Sequence, residues 1–258
     1  MVSIDEKVCI GCGKCAADCV YMTLSLKNNR AVYSGECLHC GHCVAICPTK
    51  AVSIPEYDMD DVRELRDMDS TLSTSALFDA IRSRRSIRHY LDRKIRPETL
   101  ETLIQAGRYT ATAVNSQGCR FIVVQEGLAS LKRMVWKDVE SAVASGVEEA
   151  KPLQRLVKLR QEKGIDYLFR NAPAVLYIAS NNVWDAGLAA QNMELIAGTQ
   201  GLGVLYNGFL VRSTRLSPDA KKWLQLAEKP LAASMLVGYP SVEYLRTAPR
   251  KKADAIWL

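Results

Sequence analysis

Residues 36–52 read ECLHCGHCVAICPTKAV, with four cysteines spaced by three, three and four positions. A matching run, VCIGCGKCAADCV, occupies residues 8–20. The two runs hold eight of the nine cysteines in a chain of 258 residues, all before residue 50. Thiols repeated at such a spacing decide how the first fifth of the chain must fold, because each loop has to turn three of them inward together.

Cys9, Cys12, Cys15 and Cys19 follow C-x2-C-x2-C-x3-C, and Cys37, Cys40, Cys43 and Cys47 repeat it, this time followed by Pro48. Three thiolates at i, i+3 and i+6 reach three corners of an iron–sulfur cube, and the last cysteine of each run ligates the other cluster. The expected sets are therefore Cys9, Cys12, Cys15 and Cys47 for one [4Fe–4S] cluster, and Cys37, Cys40, Cys43 and Cys19 for the second. Zinc also takes C-x2-C pairs, but two pairs would satisfy it and leave the remaining cysteines without a role. His39 and His42 lie within the second loop. With four thiolates already completing each cube, they read as exposed residues or as donors that tune the potential. Residues 2–55 resemble a bacterial-type two-cluster ferredoxin, with Val20 standing after Cys19 where that family usually has proline.

Composition is consistent with this reading. An apolar fraction of 48% with 24% charged residues is ordinary for a globular chain with a substantial core. No apolar run approaches the ~18 residues needed to span a bilayer. The stretch MVSIDEKVCIG lacks the charged and apolar regions of a signal peptide. A soluble, cytoplasmic protein is expected, without membrane association, and a reducing cytosol favours metal or redox roles for clustered thiols over disulfides.

The net charge of +6 is unevenly spread. Residues 1–54 carry five Lys/Arg against four Asp/Glu, residues 55–75 two against seven, and the remainder twenty-seven against seventeen. PEYDMDDVRELRDMDSTLSTS, the acidic stretch, reads as a connector over residues 56–75, with Val62 and Leu65 hinting at a helical turn laid on a neighbour. Three parts follow: 1–55, 56–75 and 76–258.

In the third part, Ser75 is positioned to cap a helix through ALFDAIRSR, with Leu77, Ala80 and Ile81 on one face. RPETLETLIQAGRYT opens a second helix on Pro97 and Glu98. FIVVQ at 121–125, AVLYIAS at 174–180 and AASMLVGYP read as strands, and DAGLAAQNMELIAGTQGLG as a long helix ending in glycines. Helices separated by short strands imply an α+β class, an α/β sandwich rather than a doubly wound sheet.

RSRRSIRHY holds four arginines between Arg82 and Arg88. Aromatic interleaving and a nucleic-acid module are both missing, so nucleic acid is not the expected partner. Forked guanidiniums after a helix end suit a phosphate, and a solvated helix face is the blander reading.

RRSIRHY, TATAVNSQGCRFIVV, DAGLAAQNMELIAGTQGLGVLYNGF and LVGYP with PRKK occur in the order of the motifs of the FMN-dependent nitroreductase family, which residues 76–258 resemble. The resemblance implies a homodimer with FMN at the subunit interface. It implies that Arg84 and Ser86 hold the phosphate and ribityl region, with Arg85 contributing backbone, and that Arg88 lies near flavin N1 and O2. It further implies that Thr112, Ala113 and Asn115 reach the flavin from the partner, that Asn207 and Gly208 offer backbone near N5, and that Arg250 and Lys252 close on the phosphate. Gly118 and Cys119 replace the family's usual Pro and Trp. Cys119 reads as a packed thiol ahead of a reactive one, and segment 126–170 matches no motif. GLG at 201–203 is no dinucleotide fingerprint, which leaves NAD(P)H neither supported nor excluded.

Joined, the two parts imply a relay. Two clusters pass single electrons to FMN for two-electron reduction of a small organic acceptor, such as a nitroaromatic, quinone or enone, with a low-potential donor such as ferredoxin as the source. The alternatives are an electron-transfer partner protein without a substrate of its own, and another chemistry on the same fold, such as dehalogenation or flavin breakdown.

Overall fold

The computed structural model describes residues 1–68, 72–226 and 228–258. The chain forms two compact units, one comprising Met1–Leu72 with Thr112–Ser116, the other Ser73–Ala111 with Gln117–Leu258.

In the first unit, β1 (Ser3–Ile4) pairs antiparallel with β4 (Val52–Ser53), and β2 (Leu24–Lys27) with β3 (Arg30–Tyr33). The β2–β3 turn places Asn28 and Asn29 at φ 51° and 55°. Two left-handed residues match the twist of a tight hairpin, and asparagine tolerates that region better than most residues. The cysteine loops end in single-turn helices, α1 (Lys14–Ala17) and α2 (His42–Ala45), each entered through a left-handed glycine, Gly13 at φ 74° and Gly41 at φ 79°. Gly11 is required twice over. Its φ is 67°, and a Cβ there would lie 2.1 Å from the Asn29 carbonyl oxygen.

The acidic stretch is less of a free connector than its composition suggests. Residues 59–61 and 65–67 form two 3-10 turns counted with the first unit, and Asp58 Oδ1 accepts from Asp60 N (3.0 Å). Lys50 Nζ pairs with Glu64 (2.8 Å), so an acid read as linker charge is tied to the second cysteine loop's exit. Val62 and Leu65 are exposed instead of resting on a neighbour. Asp69, Ser70 and Thr71, also assigned to the connector, lie outside the described residues.

The second unit begins with α3 (Thr74–Ser83), capped by Ser73, whose Oγ accepts from Ala76 N (3.1 Å). The cap is therefore two residues earlier than Ser75, because Ser73 is the residue with extended backbone (φ −62°, ψ 131°) that a cap requires. Next come α4 (Pro97–Arg108), β5 (Arg120–Val124), α5 (Leu128–Ala144), α6 (Gln154–Lys163), β6 (Ala174–Ala179), α7 (Val183–Thr199), β7 (Gly203–Tyr206), α8 (Gly208–Leu216), α9 (Pro218–Trp223) and β8 (Leu231–Gly238). The sheet runs β5-β6-β8-β7, all antiparallel.

β6 is buried along its whole length, and its side chains alternate between two cores. Val175, Tyr177 and Ala179 face a core built with α5, α6, α8 and α9. Ala174, Leu176 and Ile178 face one built with α4 and α7. Period-two alternation with both faces covered explains why AVLYIA is uninterruptedly apolar. Gly203 at the start of β7 allows close approach, since a Cβ would meet Ile87 Cγ1 at 2.2 Å. Ile87 N donates to Val204 O (2.9 Å), which lays the arginine segment along the edge strand.

Candidate functional site

Cys9, Cys12, Cys15 and Cys47 line one pocket together with Gly11 and Lys14. Burial pushes the Cys15 thiol up, and the nearby Cys47 and Cys12 add to it. Cys47 thus joins the first run although 32 residues separate it from Cys15. Backbone amides point at the sulfurs, with Ala51 N donating to Cys47 Sγ (3.2 Å) and Ala31 N to Cys9 Sγ (3.5 Å). Such donors stabilise thiolates when a cluster replaces their protons.

In the second loop, burial pushes the Cys43 thiol up to about 11, with Cys37 and Cys40 close enough to contribute. His39 N donates to Cys37 Sγ (3.2 Å). Cys19 Sγ lies 3.4 Å from Thr23 Oγ1. Its sequence neighbour Asp18 meets His42 Nδ1, beside Cys43, at 3.2 Å, and this draws the two runs together at the second set as well. His42 and Asp18 are both exposed, and the His39 ring stands edge-on to Tyr57 at 6.3 Å. Four thiols gathered in one pocket and Cys37, Cys40 and Cys43 in a second loop, with glycine-shaped turns and inward amides, fit iron–sulfur cubes in their donor chemistry.

The turn 112–116 belongs to this first unit, where Asn115 Nδ2 donates to the His39 carbonyl (2.9 Å). Thr112, Ala113 and Asn115, the residues expected at the flavin from a partner, therefore lie beside the second cysteine loop.

In the second unit a cavity of about 470 Å³ opens at the junction of β7 and α8. Of the expected residues it gathers Arg88, Asn207 and Gly208. Asn207 is buried, and both ends of its side chain are bonded. Oδ1 accepts from Leu210 N (3.0 Å) as the cap of α8, while Nδ2 donates to Leu168 O (2.6 Å). Its backbone is pinned to Ser234, whose Oγ donates to Asn207 O (2.8 Å). A Cβ on Gly208 would meet nothing within 4 Å, so this wall is bare backbone open to a flat ligand.

Arg84, Arg85 and Ser86 do not line this cavity. Arg84 Nη1 pairs with Glu194 on α7 (3.3 Å), a carboxylate only 6% exposed whose pKa burial pushes up. Arg85 Nε is buried and, among the described residues, has no hydrogen-bond partner. A buried donor of that kind calls for an acceptor, and a phosphate oxygen supplies one. Arg250 and Lys252 lie exposed in the irregular stretch after Ser241, and among the described residues Arg250 Nη1 donates to Pro249 O (3.5 Å).

Tyr167, Arg170, Phe209 and Arg212 line the cavity and were not singled out from sequence. Arg212 is legible in hindsight, four residues after Gly208 on the same face of α8. Tyr167 and Arg170 carried no signal, because they are brought in by a loop within 126–170 that an interior contact holds. Asp166 Oδ1 accepts from Trp136 Nε1 (3.2 Å) and from Phe169 N (3.0 Å). Cys119 packs against the α4–α7 core, and burial pushes its thiol up, which keeps it protonated.

Among the described residues, no helix is long and apolar enough to cross a membrane. Residues 81–239 match the nitroreductase family model, and residues 1–48 match a 4Fe-4S dicluster domain. A protein of Methanothermobacter thermautotrophicus named as an NADH dehydrogenase/NAD(P)H nitroreductase is 24% identical over 184 residues, covering 67% of this chain and 82% of that one. A ferredoxin of Pyrobaculum islandicum is 44% identical over 55 residues, 20% of this chain and 50% of that one. A nitroreductase with bound FMN from Desulfitobacterium hafniense superposes with a TM-score of 0.58 at 19% identity, over 70% of this chain and 97% of that one. The chain belongs to the nitroreductase family and carries a ferredoxin-type 4Fe–4S domain at its N-terminus.

Proposed function

We propose that the protein is a flavin-dependent oxidoreductase in which two [4Fe–4S] clusters feed FMN for two-electron reduction of a small organic acceptor. When bound, the clusters carry single electrons and FMN pairs them for delivery. The observation that carries this reading is the turn 112–116. The segment resembling the family's flavin-contact motif bonds through Asn115 to His39, inside the second cysteine loop. A purely structural pair of cubes would not require that association.

Each part of the chain then has a task. The two cysteine groups hold the clusters, and amides of Ala31, His39 and Ala51 steady their sulfurs. Gly208 admits the ring system to bare backbone, and Asn207 keeps that backbone in place. Arg88 presents a fixed positive charge, which favours the anionic reduced state of a bound flavin. Arg85 Nε offers its unbonded donor to the phosphate.

Mixing anaerobic holoprotein with a reduced low-potential ferredoxin in a stopped-flow instrument tests the reading. Flavin bleaching should follow cluster reduction in time and should outrun bleaching by NAD(P)H. Fast direct reduction by NAD(P)H, with the clusters untouched, would make the N-terminal domain a bystander.

Apolar surface supports a homodimer. On α3, Leu77, Phe78 and Ile81 are exposed, and on α7 Trp184 is 80% and Leu188 54% exposed. Five large apolar side chains on two helices of the second unit make a face that a second copy would cover. Sedimentation equilibrium should return twice the chain mass of 28.6 kDa, and a monomer at micromolar concentration would refute the dimer.

A further inference from the structure

The cavity at β7 and α8 holds more positive charge than a flavin ring needs. Three arginines line it, Arg88, Arg170 and Arg212, with the rings of Tyr167, Tyr206 and Phe209, and no Asp or Glu lines it. Among the described residues, no carboxylate pairs with any of the three guanidiniums. Each is steadied by a neutral group instead. Arg88 Nη1 donates to Ser86 O (3.3 Å), Arg212 Nη1 donates to Glu149 O (3.4 Å), and Arg170 stacks on Tyr167 with its guanidinium carbon 3.7 Å from the ring centroid. These partners orient the guanidiniums without supplying a countercharge; Arg88 and Arg212 meet solvent and Arg170 is half-buried.

Arg170 also takes an unusual backbone conformation. Its φ is 49° and that of Asn171 is 55°, left-handed values that a bulky side chain seldom adopts. Asp166 holds this turn from the interior, accepting at its side chain from Trp136 and Phe169 and at its carbonyl from Arg170 N (2.9 Å). Concentrated like charge in a recess is unfavourable without an anion, and strained backbone tends to persist where a ligand is met.

Resting on the functional reading above, we propose that Arg170 and Arg212 form the acceptor's anion subsite, and that the acceptor is a planar conjugated molecule bearing a carboxylate. Arg88 serves the flavin. The other two guanidiniums grip the carboxylate through paired N–H donors, and Tyr167 and Phe209 flank the conjugated body. The cavity volume lies in the range of small-ligand pockets. A dinucleotide's adenosine phosphate is the other anion to be weighed, and one small recess with three rings suits a single ring acid better.

The test is calorimetric and does not use turnover. Benzoate and its neutral counterpart benzamide are titrated into FMN-loaded, anaerobic full-length protein. Benzoate should bind about tenfold or more tightly than benzamide, the scale of a charge-assisted contact, and the preference should weaken as salt rises. In the Arg170→Gln/Arg212→Gln double variant the preference should vanish, with FMN content unchanged. Arg155→Gln, at an exposed position off the cavity, should retain it. Equal binding of the two probes by the unaltered protein overturns the proposal. So does loss of FMN from the double variant, which would assign the guanidiniums to the cofactor, and so does displacement of benzoate by 2′,5′-ADP. A protein that takes up no FMN at all would instead defeat the functional reading, and calorimetry on the flavin-free chain would still decide the anion preference.

Discussion

Changing Cys47 to alanine is expected to lower the iron content from about eight to about four per chain, with sulfide falling in step, while FMN stays bound. Cys47 stands in the second run but lines the pocket of Cys9, Cys12 and Cys15, and Ala51 N donates to its sulfur. One missing corner should therefore empty the first site and spare the second. Flavin reduction by reduced ferredoxin should slow, because one carrier of the relay is missing. Cys119→Ala is the control, since that thiol packs in the α4–α7 core and should cost neither iron nor rate. If Cys47→Ala keeps eight iron, the exchange of fourth ligands between runs is wrong. If it loses iron yet reduces its flavin at the unaltered rate, the relay is wrong.

The second large effect is expected from Trp136→Ala. Trp136 is 1% exposed on α5, and emptying such a site costs about 3–5 kcal/mol. Two further contacts go with it. Its Nε1 donates to Asp166 (3.2 Å), and the Arg160 guanidinium carbon sits 4.6 Å from the ring centroid. The melting transition of the second unit, followed by circular dichroism, should fall by roughly 10 °C. Asp166 fastens the loop carrying Tyr167 and Arg170, so ligand binding in the cavity should weaken even where the variant remains folded. Trp136→Phe separates these contributions. It keeps most of the apolar volume and loses chiefly the hydrogen bond, for about 1–3 kcal/mol. A Phe variant as unstable as the Ala variant would show that the hydrogen bond, not the packing, dominates.

The cysteine loops were legible because their chemistry is local. C-x2-C-x2-C works within one loop, and the left-handed Gly13 and Gly41 stand at the same offset in the two runs, while His39 takes the left-handed place that Gly11 holds in the first. The α+β class was legible for a related reason, since helical and strand periods leave separate marks on apolar residues. AVLYIA announced a strand, and both its faces proved to be covered. α3 shows the limit of periodicity. Its apolar face, Leu77 and Ile81, was marked in the sequence, but within this chain the face meets solvent. An amphipathic pattern says that a face seeks cover and not which surface supplies it.

The cavity required the tertiary structure. Arg170 reaches it because Trp136 holds Asp166, 30 residues further on, and no local pattern encodes a hydrogen bond across that separation. Arg84 and Arg85 are adjacent and chemically identical, yet one is neutralised by Glu194 and the other keeps an unbonded buried donor. Which of two neighbours is spent on the fold depends on α7, packed 110 residues downstream. The sequence by itself determined what is built from short-range geometry, namely the spacing of the thiols and the strand and helix periods. Only the tertiary structure decided which charges remain uncompensated, because compensation is set by partners far along the chain that packing alone brings within reach.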